Sequence, residues 1–236
     1  MKADPVIGVI LLGAAACVCG LALKTIPVSV AAREMVDVRR VAFGKDPVSS
    51  AAVDEALTRA DAVLAACQPQ GVTAVVDLVT WKADQIDPRQ DRDAWVADLR
   101  QVEDYSRRGL ACEPTDGALW ARLAFARWFL GGTAEEQAKL LGYSQSYAPS
   151  EFAVIRTRFF QWRRVSPAVL ALARDHLEAD IRTTLLAVPP RDAVDFLSDL
   201  PPAVFDMVQE QMPLVPPERI EALQAVKGSE MLFPVP

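Results

Sequence analysis

Residues 115–132 read TDGALWARLAFARWFLGG. Trp120, Ala124 and Trp128 are spaced by four, with Leu123, Phe125 and Phe129 beside them, which is the spacing of an apolar helix. Ala124 and Ala126 are small enough to admit a neighbouring helix at close range. Only Arg122 and Arg127 interrupt the run, so the pattern predicts a helix buried on most sides, yet too short to cross a membrane. Gly131-Gly132 ends it. Thr133 with Glu136 three residues on has the form of a capping box and opens a second helix. Leu140, Leu141, Ser144 and Tyr147 then return along one face to Pro149. Two helices joined by a tight turn are the expected unit, and the fold class is all-α.

The same grammar extends in both directions. Asp87-Pro88 precedes a helix carrying Trp95, Leu99, Val102 and Tyr105, and Ala148-Pro149 precedes SEFAVIRTRFFQW. Pro114 and Pro149 stand 35 residues apart, with Trp120 and Ile155 at matching offsets, as expected when helix pairs stack. Upstream, Ser49 and Ser50 can cap a helix running to about Ala66, with Val53, Ala56, Leu57, Ala60 and Leu64 on one face, stopped by Gln68–Gly71. The following VTAVVDLVTW mixes helix and strand signals and is read as helix from its neighbours. Downstream, Ser166-Pro167 opens a long helix with Val169, Leu172, Ala173, His176, Leu177, Ile181, Thr184 and Leu185 inward. Proline pairs at 189–190, 201–202 and 216–217 each introduce a short helical pattern, and these short helices are expected to cap one end of the array.

The N-terminus is different in kind. From Pro5 to Leu23 no charge occurs, and a membrane-crossing helix needs about 20 apolar residues. A retained single-span anchor, in contact with the bilayer through residues 5–23, is the principal reading. Two others stay open: a signal peptide cleaved after the small residues Ser29 and Ala31, and a lipoprotein signal at Cys17. Gly8, Gly13 and Gly20 form no regular stripe for helix dimerisation. Lys24, Arg33, Arg39 and Arg40 beyond the span slightly favour a cytoplasmic domain by the positive-inside rule. The expected organisation is an anchor at 1–32, a connector at 33–47, a helical domain at 48–187, short capping helices at 188–227 and a loose tail at 228–236.

Composition narrows the function classes. Hydrophobic residues make up 51% of the chain, enough to build a core, and the net charge of -6 with a pI near 4.9 argues against nucleic acid as a partner. Cys67 and Cys112 are the two cysteines outside the apolar run; they can pair in an oxidising compartment or stand as buried apolar side chains.

The unit from Pro114 to Pro149 resembles a tetratricopeptide (TPR) repeat. Trp120, Leu123 and Ala124 match the opening of that family's first helix, Ala138 and Tyr143 or Tyr147 the alanine and aromatic positions of its second, and Pro149 its closing proline. The Trp-to-Pro distance is one residue longer than the family's, and Arg127 stands where an aromatic is usual. The resemblance covers about 100 residues with the flanking helices. It implies a stack of antiparallel helix pairs after the anchor, and an interaction scaffold rather than an enzyme. Membrane-anchored proteins of this kind are similar to accessory components of bacterial envelope and exopolysaccharide systems. That similarity implies an inner-membrane protein with a periplasmic domain, with envelope proteins or a polysaccharide as partners.

Chemistry-bearing residues are sparse. His176, the one histidine, falls on an inward stripe and is expected to be a hydrogen-bonded core residue; Asp175, Glu178 and Asp180 surround it in sequence without forming a triad pattern. Asp84, Asp87, Asp91 and Asp93 form an acidic cluster with a DxD spacing at Asp91–Asp93, but acids in a first helical turn serve the helix dipole. No catalytic, metal or cofactor site is expected, and no glycine-rich phosphate loop occurs. Arg156, Arg158, Trp162, Arg163 and Arg164, threaded by Phe152, Phe159 and Phe160, are the candidate partner-binding set, with Arg107, Arg108 and Arg122 able to extend it. Two functions follow as expectations: a membrane-tethered docking protein of an envelope assembly, and a carbohydrate-binding regulatory subunit of a polysaccharide enzyme.

Overall fold

The computed structural model describes residues 5–44, 47–198, 200–229 and 232. Every regular element among them is helical. The chain divides into two compact units, residues 1–98 with 111–113 and residues 99–110 with 114–236.

The first unit is built around helix α1 (Pro5–Ala42), α2 (Ser50–Leu57), α3 (Ala60–Ala65) and α4 (Pro69–Asp84), with the start of α5 (Arg92–Cys112). α4 is its core. Val72, Ala74, Val75, Val76, Leu78 and Val79 are all sealed from solvent, so the ambiguous VTAVVDLVTW is a helix buried on several faces, which is why it lacks a clean period. β-Branched residues cost helix propensity, and this burial outweighs that cost. α1 packs along α4, with Ala31, Ala32 and Met35 buried and Arg39 donating to Asp77 at 2.6 Å. Gly71 permits the approach: a Cβ there would stand 2.6 Å from Val63 and 2.8 Å from Ala32.

Two expectations change here. Residues 33–42 are not a connector but the last turns of α1, because alanines and Met35 give that helix a face to bury on α4. The helix expected from Ser50 to Ala66 breaks at Thr58-Arg59, where the Thr58 hydroxyl donates to the Glu55 carbonyl at 2.6 Å. Ser49 caps α2 through the Ala52 amide as expected. By length and composition α1 can cross a bilayer, and Leu12, Val18, Leu21, Leu23, Ile26 and Val30 on it are exposed.

Cys67 and Cys112 form a disulfide, with Cα atoms 5.3 Å apart. Cys67 takes the left-handed conformation, φ 51°, that turns the chain from α3 into α4. The bond fastens this turn to the end of α5.

The second unit contains α6 (Gly117–Phe129), α7 (Ala134–Tyr147), α8 (Phe152–Trp162), α9 (Pro167–Leu172), α10 (Arg174–Ala187), α11 (Pro190–Ser198), α12 (Pro202–Gln211) and α13 (Pro217–Gln224), with α5 residues 99–110. α6 and α7 form a hairpin. The Ser144 hydroxyl near the end of α7 donates to the Gly117 carbonyl at 2.8 Å, while Arg127 near the end of α6 grips Glu136 at the start of α7. A Cβ on Gly117 would lie 2.4 Å from that of Ala148, so the first turn of α6 has no room for a larger residue. Asp116 caps α6 through the Ala118 and Leu119 amides, and Thr133 caps α7 through Glu136.

The expected long helix from Pro167 is two helices, parted at Ala173. Leu172, expected inward, is 56% exposed because the break turns its side chain away from the core. The proline pairs do start helices: Pro190, Pro202 and Pro217 each stand in a first turn, where the missing amide has no helical partner to lose. Ser229 and Leu232 in the expected loose tail are buried, and Gln209 donates to the Leu232 carbonyl at 2.9 Å. Residues 233–236 lie outside the described residues.

Candidate interaction surface and the buried arginine behind it

The sequence-predicted arginine–aromatic set does not share one surface. α8 turns Val154, Ile155, Arg158, Phe159, Gln161 and Trp162 inward, and Arg156 and Phe160 outward. Arg158 and Trp162 are completely enclosed, with no solvent exposure. Arg158 forms a two-pronged contact with Asp180 of α10, Nε to Oδ2 at 2.7 Å and Nη2 to Oδ1 at 2.6 Å. Its remaining donors reach the Ser144 carbonyl and hydroxyl at 3.2 Å and the Ala148 carbonyl at 3.1 Å. Trp162 donates its indole N–H to Asp180 at 2.9 Å. A buried charge needs this many partners to offset its lost hydration. The arrangement joins α7, α8 and α10.

Arg158 and Trp162 are therefore structural side chains, and the expectation that they form part of a partner-binding surface is corrected. Their positions on the inward register, three and seven residues after Ile155, carried the signal for burial. Asp180 was the residue sequence reasoning missed. It is three residues after Leu177 and four before Thr184, on the inward face of its own helix.

What remains outside is a different cluster. Phe125 and Phe129 of α6 meet edge to face with centroids 5.1 Å apart, Phe125 lies 6.1 Å from Phe160 of α8, and Trp128 lies 4.5 Å from Phe129. Phe129 is 38% and Phe160 42% exposed. α6 is thus open on one side, where the sequence pattern predicted burial on most. Arg164 lies over the Phe160 ring at 4.1 Å and donates to the Phe160 carbonyl at 2.7 Å. Arg156 is exposed one turn earlier, and Arg163, half-buried, donates to the Asp195 carbonyl. Arg107 and Arg108 do not extend the cluster as free cations: each faces an acid one turn earlier on α5, Glu103 and Asp104.

The other candidate groups have local duties. Glu136 is held below its ordinary carboxylate range, first by the Arg127 guanidinium bonded to it. His176 shares a contact of 3.3 Å with the Gln145 side chain, and its ring fills the space over Gly142. Asp180 is committed to Arg158, and Glu178 to Arg174 at 2.7 Å, so among the described residues no acid is hydrogen-bonded to the imidazole as a triad requires. Asp91 accepts from the Ala94 amide and Asp87 from the Arg89 amide, which makes them turn and cap residues. Among the described residues no group of three or more His, Cys, Asp or Glu side chains is gathered for a metal ion. In the first unit, Asp98 is pushed up by burial, opposed by Lys82 at 3.7 Å.

No protein-family model, curated protein or solved structure matches this chain with significance.

Proposed function

We propose that this chain is a single-pass bacterial inner-membrane protein whose periplasmic helical domain is an interaction scaffold for cell-envelope assembly, in polysaccharide biosynthesis or export. The observation that carries the reading is the double use of α1. Its first half exposes an apolar surface suited to lipid, and its second half buries Ala31, Ala32 and Met35 in the first unit. An anchor that is also a core element is retained with the domain, which argues against cleavage near Ser29. The Cys67–Cys112 disulfide supports export, since such bonds persist in oxidising compartments. The α6–α7 hairpin is compatible with a TPR-like stack, whose exposed faces suit protein docking. Assignment to envelope and polysaccharide systems rests on the resemblance of sequence alone.

The competing reading, carbohydrate binding through the arginine–aromatic set, loses support because Arg158 and Trp162 are enclosed. Reporters fused to the C-terminus in the native host, one active only outside the cytoplasm and one only inside, test the topology alongside membrane fractionation. The expected result is a full-length, membrane-retained protein with an external C-terminus and Cys67 and Cys112 protected from alkylation until reduced. An internal C-terminus, or a shortened soluble product, overturns the reading.

A further inference from the structure

We infer that the α6–α8 face is a docking surface for an acidic, apolar segment of a partner protein, an inference that rests on the scaffold reading. The surface has two complementary parts. Phe125, Phe129 and Phe160 with Trp128 form a continuous ring cluster, and its outer rings are open to solvent. Large aromatic side chains grouped in this way are typical anchors of protein interfaces.

The second part is charge. No Asp or Glu occurs in 117–134 or 152–173, and although Arg127 and Arg158 of these stretches are spent on Glu136 and Asp180, Arg156 and Arg164 stand exposed beside the rings in a chain of net charge -6. Other exposed arginines of the unit have acids in reach: Arg107 with Glu103, Arg108 with Asp104, Arg174 with Glu178 and Glu210. Arg156 and Arg164 beside the rings face no carboxylate among the described residues. Stacking on Phe160 and the bond to its carbonyl orient Arg164, which leaves N–H edges for a two-pronged contact with an incoming carboxylate.

The ring geometry selects the class of occupant. Phe125 is inclined at 74° to Phe129 and at 50° to Phe160, and Trp128 at 30° to Phe129, so the cluster presents a stepped apolar surface rather than one flat platform. A stepped aromatic surface packs against Leu, Met or Phe side chains, as the apolar face of an amphipathic helix offers them. A sugar ring would need a flat aromatic face together with amide or carboxylate partners for its hydroxyls, and α6 and α8 offer no acid there. The occupant is therefore a peptide with acidic residues flanking large apolar ones.

The test uses the full-length chain in native-host membranes, with Phe160→benzoylphenylalanine as a photocrosslinking probe and Lys139→benzoylphenylalanine, on an exposed position of α7, as a second site. The expected adduct at position 160 is a protein segment that, when sequenced, has Asp or Glu beside large apolar residues. Its yield should fall about tenfold in R156E/R164E and less in R156Q/R164Q, as for loss of interface arginines. An adduct with glycan, with lipid, or with a neutral or basic segment overturns the inference, as does a yield indifferent to R156E/R164E in protein of unchanged helicity. Adducts only from position 139 overturn this surface and leave the scaffold reading standing. Adducts from neither position overturn both.

Discussion

Arg158 on α8 and Asp180 on α10 meet at 2.6 Å in a space that solvent does not reach. The pair is a joint between helices whose cost in lost hydration is offset only while every member is present.

Removing one partner should accordingly do more harm than removing both. Arg158→Met and Asp180→Leu alone are each expected to destabilise the second unit by about 3–5 kcal/mol, whereas the double variant recovers most of that loss. Urea unfolding of the four proteins forms the double-mutant cycle. Equal and additive losses would show that the pair contributes by packing rather than by charge matching.

The disulfide closes a long loop, with a sequence separation of 45. Restricting a loop of this length in the unfolded chain is worth about 2–4 kcal/mol, so Cys67→Ser/Cys112→Ser should lower stability by that amount with little change in helicity. Thermal melts with and without reductant measure it, and reductant should leave the double variant unaffected.

Glu136 sets an acid limit on the α6–α7 hairpin. Its folded pKa lies below the ordinary 4.5, mainly because Arg127 bonds it. The stabilisation is therefore complete above pH 4.5 and lost as pH falls through the depressed folded value. Glu136→Gln should flatten this acid-side decline in melting temperature and lower stability at neutral pH.

Asp98 runs the opposite way. Burial raises its folded pKa above the ordinary 3.8. Its protonated form stabilises the first unit fully below pH 3.8, and that contribution is lost as pH rises through the folded value. Asp98→Asn should remove this decline and leave the unit at least as stable at pH 7, as read from melting temperature against pH.

Gly117→Ala places a Cβ against Ala148 and the Ser144 carbonyl. The expected cost is about 1–3 kcal/mol, typical of overpacking, and calorimetry of the variant checks it. An unchanged melting temperature would mean that α6 and α7 can slide apart without loss.

Local signals proved the most legible. Ser49, Thr133 and Ser166 cap helices where their spacing predicted, and each proline pair begins a helix, because caps and proline act within one turn of chain. Breaks at Thr58-Arg59 and Ala173 were not legible, since no glycine or proline marks them and tertiary packing decides them. The candidate site was half legible. Its arginines and rings are real neighbours in sequence, but Arg158 follows the same register as Ile155 and Trp162, and only its pairing with Asp180, 22 residues away, makes an inward guanidinium tolerable. Phe125 and Phe129 were read as core because an aromatic stripe does not announce which of its faces lacks a neighbour.

The length of α1 has a mechanical consequence. At about 1.5 Å per residue, its 38 residues make a rod near 57 Å, of which the far part is clamped to α4 through Met35 and the Arg39–Asp77 contact. A span embedded in hydrocarbon adjusts to bilayer thickness by tilting. With α1 spanning the bilayer as proposed, tilt would not be free, because the lever leaning in the lipid is the same one that holds the first unit together. Lipid thickness would then become a load on the α1–α4 seam, and Pro27, which leaves the helix without one backbone hydrogen bond between the two halves, would be the place where that load is most cheaply absorbed.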